Sequence, residues 1–415
     1  MEFNKAKIVN DPVHGFITLP GGIIGKLIEH AYLQRLRNIK QTGLTYLVYP
    51  GACHNRLQHA LGAMHLMSQA IDVLRSKGHN ITREEAEIAM CAILLHDVGH
   101  GPFSHALECS IVDNIHHEEL SKLIMLQLNI ELEGKLDLAI DIFDNNYKKH
   151  FLYDLVSSQL DVDRMDYLRR DSFFSGVAEG MIGLERIIKM LDVVNDALVV
   201  EAKGIYSIEK FLISRHLMYW QVYLHKTVIA AEQLMVQILR RAKYLSQQGE
   251  TLFATPALSF FLKNNISLNE FLVPDKGTTP FEHFINLSDS DIESSVKVWA
   301  YHADKALSTL CRMIVNRQLF RTELSKTPFD LARIEQIRNS TANSLDIPYN
   351  AIDYFVISGE VSNKAYTHDN QSIMIKYNND NLEDIFNVSD MLSAKAFNEI
   401  TRKFMLCYPK LNKNE

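Results

Sequence analysis

The chain has 415 residues, a formal net charge of −7 and 47% hydrophobic residues. An acidic balance argues against a broad nucleic-acid surface, which needs clustered lysine and arginine, and no run approaches the ~18 uncharged apolar residues of a membrane span. The five cysteines (Cys53, Cys91, Cys109, Cys311, Cys407) show no CxxC spacing and "MEFNKAKIVNDPVHG" has no apolar leader, so the sequence predicts reduced thiols in a cytoplasm.

In chain order, residues 8–19 hold two short apolar runs around Asn-Asp-Pro and His-Gly, which predicts a small strand-turn-strand. Residues 25–39 read as a helix running into Arg35, Arg37 and Lys40, either a solvated basic face or an anion site. After Gly51, the apolar residues Leu57, Ala60, Leu61, Met64, Met67, Ile71 and Leu74 keep the spacing of a buried helix stripe. His59 sits one step off that stripe, and Arg56 lies three residues before it, so both can share a side.

Thr82 and Glu85 form a capping-box pattern, and residues 84–95 are predicted to be the helix that delivers His96-Asp97. Gly99, Gly101 and Pro102 then end the pattern, with His100 and His105 following at i+4 and i+9 from His96. Imidazole and carboxylate side by side are common ligands for Zn, Fe, Mn or Mg. Taken alone, a His-Asp pair is more often an ordinary helix end. His116-His117-Glu118 opens the next predicted helix, over 118–128.

Residues 152–171 read as one helix carrying Asp161, Asp163, Asp166 and Asp171, with Asp163, Tyr167 and either Arg170 or Asp171 on one face. Residues 207–245 form a long helical region in which Arg215, Tyr219, Tyr223 and Lys226 share a stripe. Two cations between two phenols suit a phosphate-plus-base ligand; the plainer alternative is long side chains lying over a core. Short helices are predicted at 267–272 and 280–286, and a longer helical region at 290–324. Strands follow at 352–357 and 372–377, with a closing helix at 389–406. The expected fold is mostly α, with a helical core over 1–325 and a smaller α+β lobe over 326–415.

His59, His96-Asp97 and a carboxylate from the Asp-rich segment give two imidazoles and two carboxylates from three helices. Such a set suits one divalent metal with positions left open for water and a phosphate oxygen. In this order, with "NDPVHG", "QRLRNIKQTG", "PGACHNRLQHALG", "LLHDVGHGPFSH", "HHEEL", "LDVDRMDYLRRD" and "YLHK", the sequence resembles the HD-domain metal-dependent phosphohydrolases. The phrases cover about residues 8–226. They are most similar to the deoxynucleoside triphosphate triphosphohydrolase branch, without its sterile-alpha-motif domain.

The resemblance implies hydrolysis of a dNTP to deoxynucleoside and inorganic triphosphate. It makes His59, His96, Asp97 and Asp163 the ligands of one divalent metal (Zn, Fe, Mn or Mg), with additional Mg accompanying the triphosphate. It sets His100 and His117 beside the scissile phosphate, with Glu118 orienting His117. Arg56, Arg164 and Lys226 become phosphate clamps, although the family usually has Lys at position 164. Tyr167 would press on the sugar's C2′ edge, Gln41 and Asp171 would bind the 3′-hydroxyl, and Arg215 and Tyr223 would hold triphosphate and sugar.

The branch also binds activating nucleotides at subunit contacts, which map onto Asn10, Glu29, Gln34 and Arg37, with Arg317 and Arg321 at a further nucleotide. Glu29 replaces the Asp of the guanine-reading branch. A nucleotide-regulated homo-oligomer, dimer or tetramer, is therefore expected, with no membrane and no nucleic-acid partner. One rival is another HD phosphohydrolase acting on nucleoside monophosphates or cyclic nucleotides. A second is a non-catalytic nucleotide or nucleic-acid binder, which the intact ligand set and the His100/His117 pair disfavour.

Overall fold

The computed structural model describes residues 6–410 except 104, 109, 111, 113–114, 276, 364–371, 379–380 and 393–400. The chain opens with an antiparallel hairpin, β1 (Lys7–Asp11) and β2 (Gly15–Leu19), in register from Lys7 against Leu19 to Asp11 against Gly15. The helix expected over 25–39 is instead three pieces: α1 (Gly22–Glu29), α2 (Ala31–Gln34) and a 3-10 turn, Arg35–Asn38. His30 breaks it, because its backbone is extended and its ring accepts a hydrogen bond from the Tyr32 amide as the cap of α2.

Two long helices follow, the first where the apolar stripe predicted it and the second where its capping box did. Asn55 and Gln58 form a reciprocal capping box that starts α3 (Arg56–Ser76), and Thr82 with Glu85 does the same for α4 (Arg83–Leu95). The short α5 (His105–Glu108) precedes α6 (His117–Glu131), α7 (Asp137–Phe143) and α8 (His150–Val156). Residues 152–171 are not one helix. Asp161 accepts hydrogen bonds from the Ser158 and Arg164 amides, stops the preceding segment and caps α9 (Val162–Ser175). Gly176, at φ 74°, closes α9 in the left-handed conformation.

After α10 (Leu184–Met190), β3 (Leu191–Val194) and β4 (Ala197–Glu201) come α11 (Ile205–Met218) and α12 (Lys226–Gln247). A π turn at Tyr219–Tyr223 separates α11 from α12, so the long helix expected over 207–245 is interrupted at its aromatic stretch. α13 (Pro256–Lys263) and α14 (Pro280–Ile285) lead to α15 (Asp289–Trp299) and α16 (Lys305–Val315). Asp304 caps α16 through the Leu307 amide.

The helical region expected to reach residue 324 ends at Val315, and Arg321–Ser325 is a strand, β5. Next come α17 (Leu331–Leu345), β6 (Ile357–Asn363), β7 (Met374–Lys376), β8 (Leu382–Asp384), α18 (Ile385–Val388) and β9 (Thr401–Tyr408). Residues 352–354 lie in a 3-10 turn rather than a strand. The closing helix is replaced by β9 where the residues are described, while 393–400 lie outside the described residues. β9 is the central strand of β5-β9-β6, and β7 lies parallel to β4 in β3-β4-β7-β8. Each larger sheet thus combines strands from before and after residue 325. The core runs through α3, α4, α9 and α12, where Ala60, Leu94, Leu95, Met165 and Leu234 are fully enclosed.

Candidate active site

The side chains at the centre come from three helix ends. His59 lies on the first turns of α3, His96 and Asp97 just past α4, and Asp163 on the first turn of α9. His59 Nε2 is 3.0 Å from Asp163 Oδ1 and 3.9 Å from Asp97 Oδ2. His96 Nε2 is 3.3 Å from the same Asp163 oxygen and 3.4 Å from Asp97 Oδ1. Both imidazoles have their other nitrogen engaged: His59 Nδ1 meets Asp166 Oδ2 at 2.8 Å, and His96 Nδ1 meets the Ile93 carbonyl at 2.6 Å. Their Nε2 atoms are buried with no hydrogen-bond partner of good geometry. Two buried imidazole nitrogens beside the carboxylates of Asp163 and Asp97 fit a divalent cation, with His59, His96 and Asp163 the most tightly grouped.

Electrostatics agree with that fit. Burial opposes a charge on His59, but Asp163 and Asp166 outweigh it and pull the ring up to about 10. Asp163 and Asp97 are held low despite burial, by His59 and His96 in one case and by His96, His100 and Arg56 in the other. In the protein alone, protonated imidazoles answer the carboxylate charge that a cation would otherwise answer.

Around this centre opens a cavity of about 450 Å³, walled by Gln41, Arg56, Arg164, Tyr167, Asp171 and Tyr223 among others. Arg56 Nη1 donates to Asp97 Oδ2 at 2.9 Å. His100 and His117 stack on the same wall, and burial together with Arg56 pushes His100 down to about 3. Arg164 is anchored through Nη1 to Asp161 and to the Ser158 carbonyl, while its buried Nε has no partner. Asp171 accepts from His54 and from the Tyr223 hydroxyl, each at 2.6 Å. Burial raises both Tyr167 and Tyr223 well above the usual phenol range, so both rings stay neutral.

Not every expected residue reaches this cavity. Arg215 is buried behind the wall and donates to Gln159 Oε1 at 2.9 Å. Lys226 is exposed at the start of α12, and Glu118 is exposed in the first turn of α6. The residues mapped to regulation lie on the surface of this single chain, apart from the half-buried Gln34. Asn10 is exposed on β1, Glu29 pairs with Lys7 at 3.1 Å, and Arg37 donates to Gln34 Oε1 at 2.5 Å. Arg317 donates to the Leu47 carbonyl, and Arg321 lies 3.7 Å from Glu323. Arg35 belongs to neither alternative drawn from its basic neighbours: it is buried and donates to the Val98 and His100 carbonyls, each at 2.9 Å.

Sequence reasoning missed four residues that hold the centre. Asp166 is fully buried and receives His59, His14 and Arg170, and Arg170 also reaches Asp11. The signal was an Asp-x-x-x-Arg spacing in α9 beside the polar turn "NDPVHG", read as face and loop because burial is not written in a charge pattern.

Geometry of this kind defines a metal-dependent hydrolase of the HD class, and comparison with known proteins agrees. Residues 56–171 match the HD domain and 182–252 the HD associated region. The chain is 50% identical to a phosphohydrolase from Bacteroides thetaiotaomicron of known crystal structure, with a TM-score of 0.94 over 98% of this chain and 100% of that one. It is 34% identical over 327 residues to the uncharacterized protein YwfO of Bacillus subtilis, 77% of this chain and 72% of the relative. It is 33% identical over 264 residues to the deoxynucleoside triphosphate triphosphohydrolase SAMHD1 homolog of Dictyostelium discoideum, 57% of this chain but only 50% of that relative. The chain belongs to the HD-domain phosphohydrolases. No helix among the described residues is long and apolar enough to cross a membrane.

Proposed function

We propose that the protein hydrolyses deoxynucleoside triphosphates to deoxynucleoside and inorganic triphosphate. The observation carrying this reading is the lining of the cavity, which brings Asp97 and Asp163 of the His/Asp centre and the guanidinium groups of Arg56 and Arg164 together with Tyr167, Asp171 and Tyr223. A relative at 33% identity is named for the same activity. A divalent cation held by His59, His96, Asp97 and Asp163 would polarise a phosphoryl oxygen and acidify water.

The remaining work falls to the chain's own groups. Arg56 and Arg164 offer guanidinium donors to phosphate oxygens and offset the charge that builds up there. His100, held neutral, has one proton to give or receive at a time, and His117 stacked on it gives a second site for the proton that must reach the leaving 5′-oxygen. Gln41 Oε1 is a buried acceptor without a partner, suited to a sugar hydroxyl. The Tyr167 ring fits against the C2′ edge, where it would exclude a ribose hydroxyl.

The same cavity leaves open an HD hydrolase of nucleoside monophosphates or cyclic nucleotides. Chromatography of products from each of the four dNTPs, with and without the other nucleotides added, separates the two. Release of intact triphosphate and deoxynucleoside supports the proposal. Release of orthophosphate alone, or turnover only of monophosphates, overturns it. By the same reading, a second nucleotide bound near Asn10, Glu29, Gln34 and Arg37 activates the enzyme as an oligomer, with Arg317 and Arg321 serving a further nucleotide.

A further inference from the structure

The Asp166 carboxylate is fully buried, lies outside the lining of the cavity described above and has no part in the chemistry there. Its Oδ2 takes His59 Nδ1 at 2.8 Å and Arg170 Nε at 2.9 Å; its Oδ1 takes His14 Nε2 at 2.6 Å and Arg170 Nη2 at 2.9 Å. Four donors use the whole accepting capacity of one carboxylate. Arg170 is in turn fixed by Asp11, through Nη1 to Oδ2 at 2.7 Å. Asp11 Oδ1 also accepts the Val13 and His14 amides, each at 2.9 Å, so it folds the hairpin turn that presents His14.

The fold makes room for this cluster at some expense. Gly62 lies inside α3, where glycine costs roughly 1 kcal/mol against alanine. A Cβ there would stand 2.0 Å from Asp166 Oδ1 and 2.3 Å from Arg170 Nη2. The arrangement excludes any larger residue and keeps α3 and α9 close enough for Asp166 to reach His59.

We propose that His14 and Arg170 are positioning residues of the metal centre: by saturating Asp166 they lock the His59 ring so that Nδ1–H donates to Asp166 and the Nε2 lone pair faces Asp163 and His96. The proposal rests on His59 being a ligand. A neutral imidazole has one N–H, and the partner of that N–H decides which nitrogen is left for a cation. With His14 gone, Asp166 Oδ1 keeps only Arg170 and the carboxylate gains freedom to turn. His14 lies outside the matched HD segment, so the N-terminal hairpin becomes part of the metal centre rather than an appendage.

The test is the Mn²⁺ dissociation constant of the metal-stripped full chain, measured by chelator competition, alongside the melting temperature of the same metal-free samples. His59→Ala tests the underlying reading: if it binds Mn²⁺ as tightly as the wild type, the ligand assignment itself is wrong. Given that His59→Ala loses binding, His14→Ala is expected to weaken binding about 10–100-fold, the usual range for groups that orient a ligand. His14→Gln, which keeps a donor near the Nε2 position, is expected to recover most of that loss. A wild-type Mn²⁺ affinity in His14→Ala, even with a lowered melting temperature, makes the cluster merely structural and overturns the proposal. If His14→Ala does not fold, Arg170→Lys decides in its place: it keeps the charge but loses the fork, and unchanged affinity overturns the proposal equally.

Discussion

The imidazoles of His100 and His117 lie face to face, ring centroids 3.8 Å apart and planes 16° from parallel. Burial and Arg56, helped by His117, push His100 down and keep that ring neutral. Proton transfer and metal binding then separate cleanly by mutation. His117→Ala is expected to lower kcat about 10²–10⁴-fold, the usual worth of a general acid or base, with metal content unchanged. Asp97→Ala is expected to lose activity and metal together. Elemental analysis beside steady-state rates checks both, and full metal with full activity in Asp97→Ala would remove Asp97 from the centre.

Tyr167 tests the sugar gate. Its ring stands in the cavity wall 6.2 Å from that of Tyr223, edge on. Tyr167→Ala opens space beside the C2′ position, so ATP and GTP hydrolysis should rise relative to dATP and dGTP. The wild type discriminates by this ring only if it prefers deoxynucleotides; equal wild-type rates on ribo- and deoxynucleotides end the gate idea.

Arg37 tests regulation. Its guanidinium pairs with Gln34 on the surface, away from the His/Asp centre. Arg37→Ala is expected to abolish activation of one dNTP's hydrolysis by another, a coupling typically worth ~1–3 kcal/mol, while basal turnover and metal content stay constant. Kinetics that are unactivated in the wild type, with an oligomer size indifferent to nucleotide in gel filtration, argue that Arg37 is a plain surface charge.

Glu85 tests stability against pH. It accepts from the Thr82 amide, Tyr147 and Lys149, and although burial opposes its charge these donors bring its carboxyl down to about 2 from an ordinary 4.5. A carboxyl depressed in the folded state contributes stability that is present above its unfolded value and lost as pH falls. Glu85→Gln should therefore cost about 1–3 kcal/mol at pH 7. That gap should narrow from pH 4.5 toward pH 2. Urea midpoints across this range measure it, and a gap independent of pH would mean that packing, not charge, is what the variant loses.

The two long helices were readable in the chain: the apolar stripe from Leu57 to Leu74 announced α3, and Thr82 with Glu85 marks the start of α4 where the structure has it. The order of His and Asp residues also named four side chains in which each of His59 and His96 comes within 4 Å of both Asp97 and Asp163. The break between α8 and α9 was hidden because no Gly or Pro marks it; Asp161 does the work by turning its carboxylate onto two amides. β9 was hidden because an unbroken apolar run such as Phe404–Met405–Leu406–Cys407 serves a central strand as well as a helix, and only its neighbours decide. Asp166 and Arg170 were hidden for a third reason: a charged pair at i, i+4 reads as solvated until the opposing glycine is seen.

The Asp166 cluster also has a history in time. His59 and Asp166 are 107 residues apart in sequence, and His14 and Asp166 are 152 apart. At a synthesis rate of about 5–20 residues per second, the two histidines wait roughly 5–30 s for α9 to leave the ribosome. Until then the nascent chain carries imidazoles with no carboxylate to orient them and a gap at Gly62 with nothing to fill it. A cation met at that stage would find loose ligands, so loading belongs after the emergence of Arg170, when the first hairpin and the ninth helix meet.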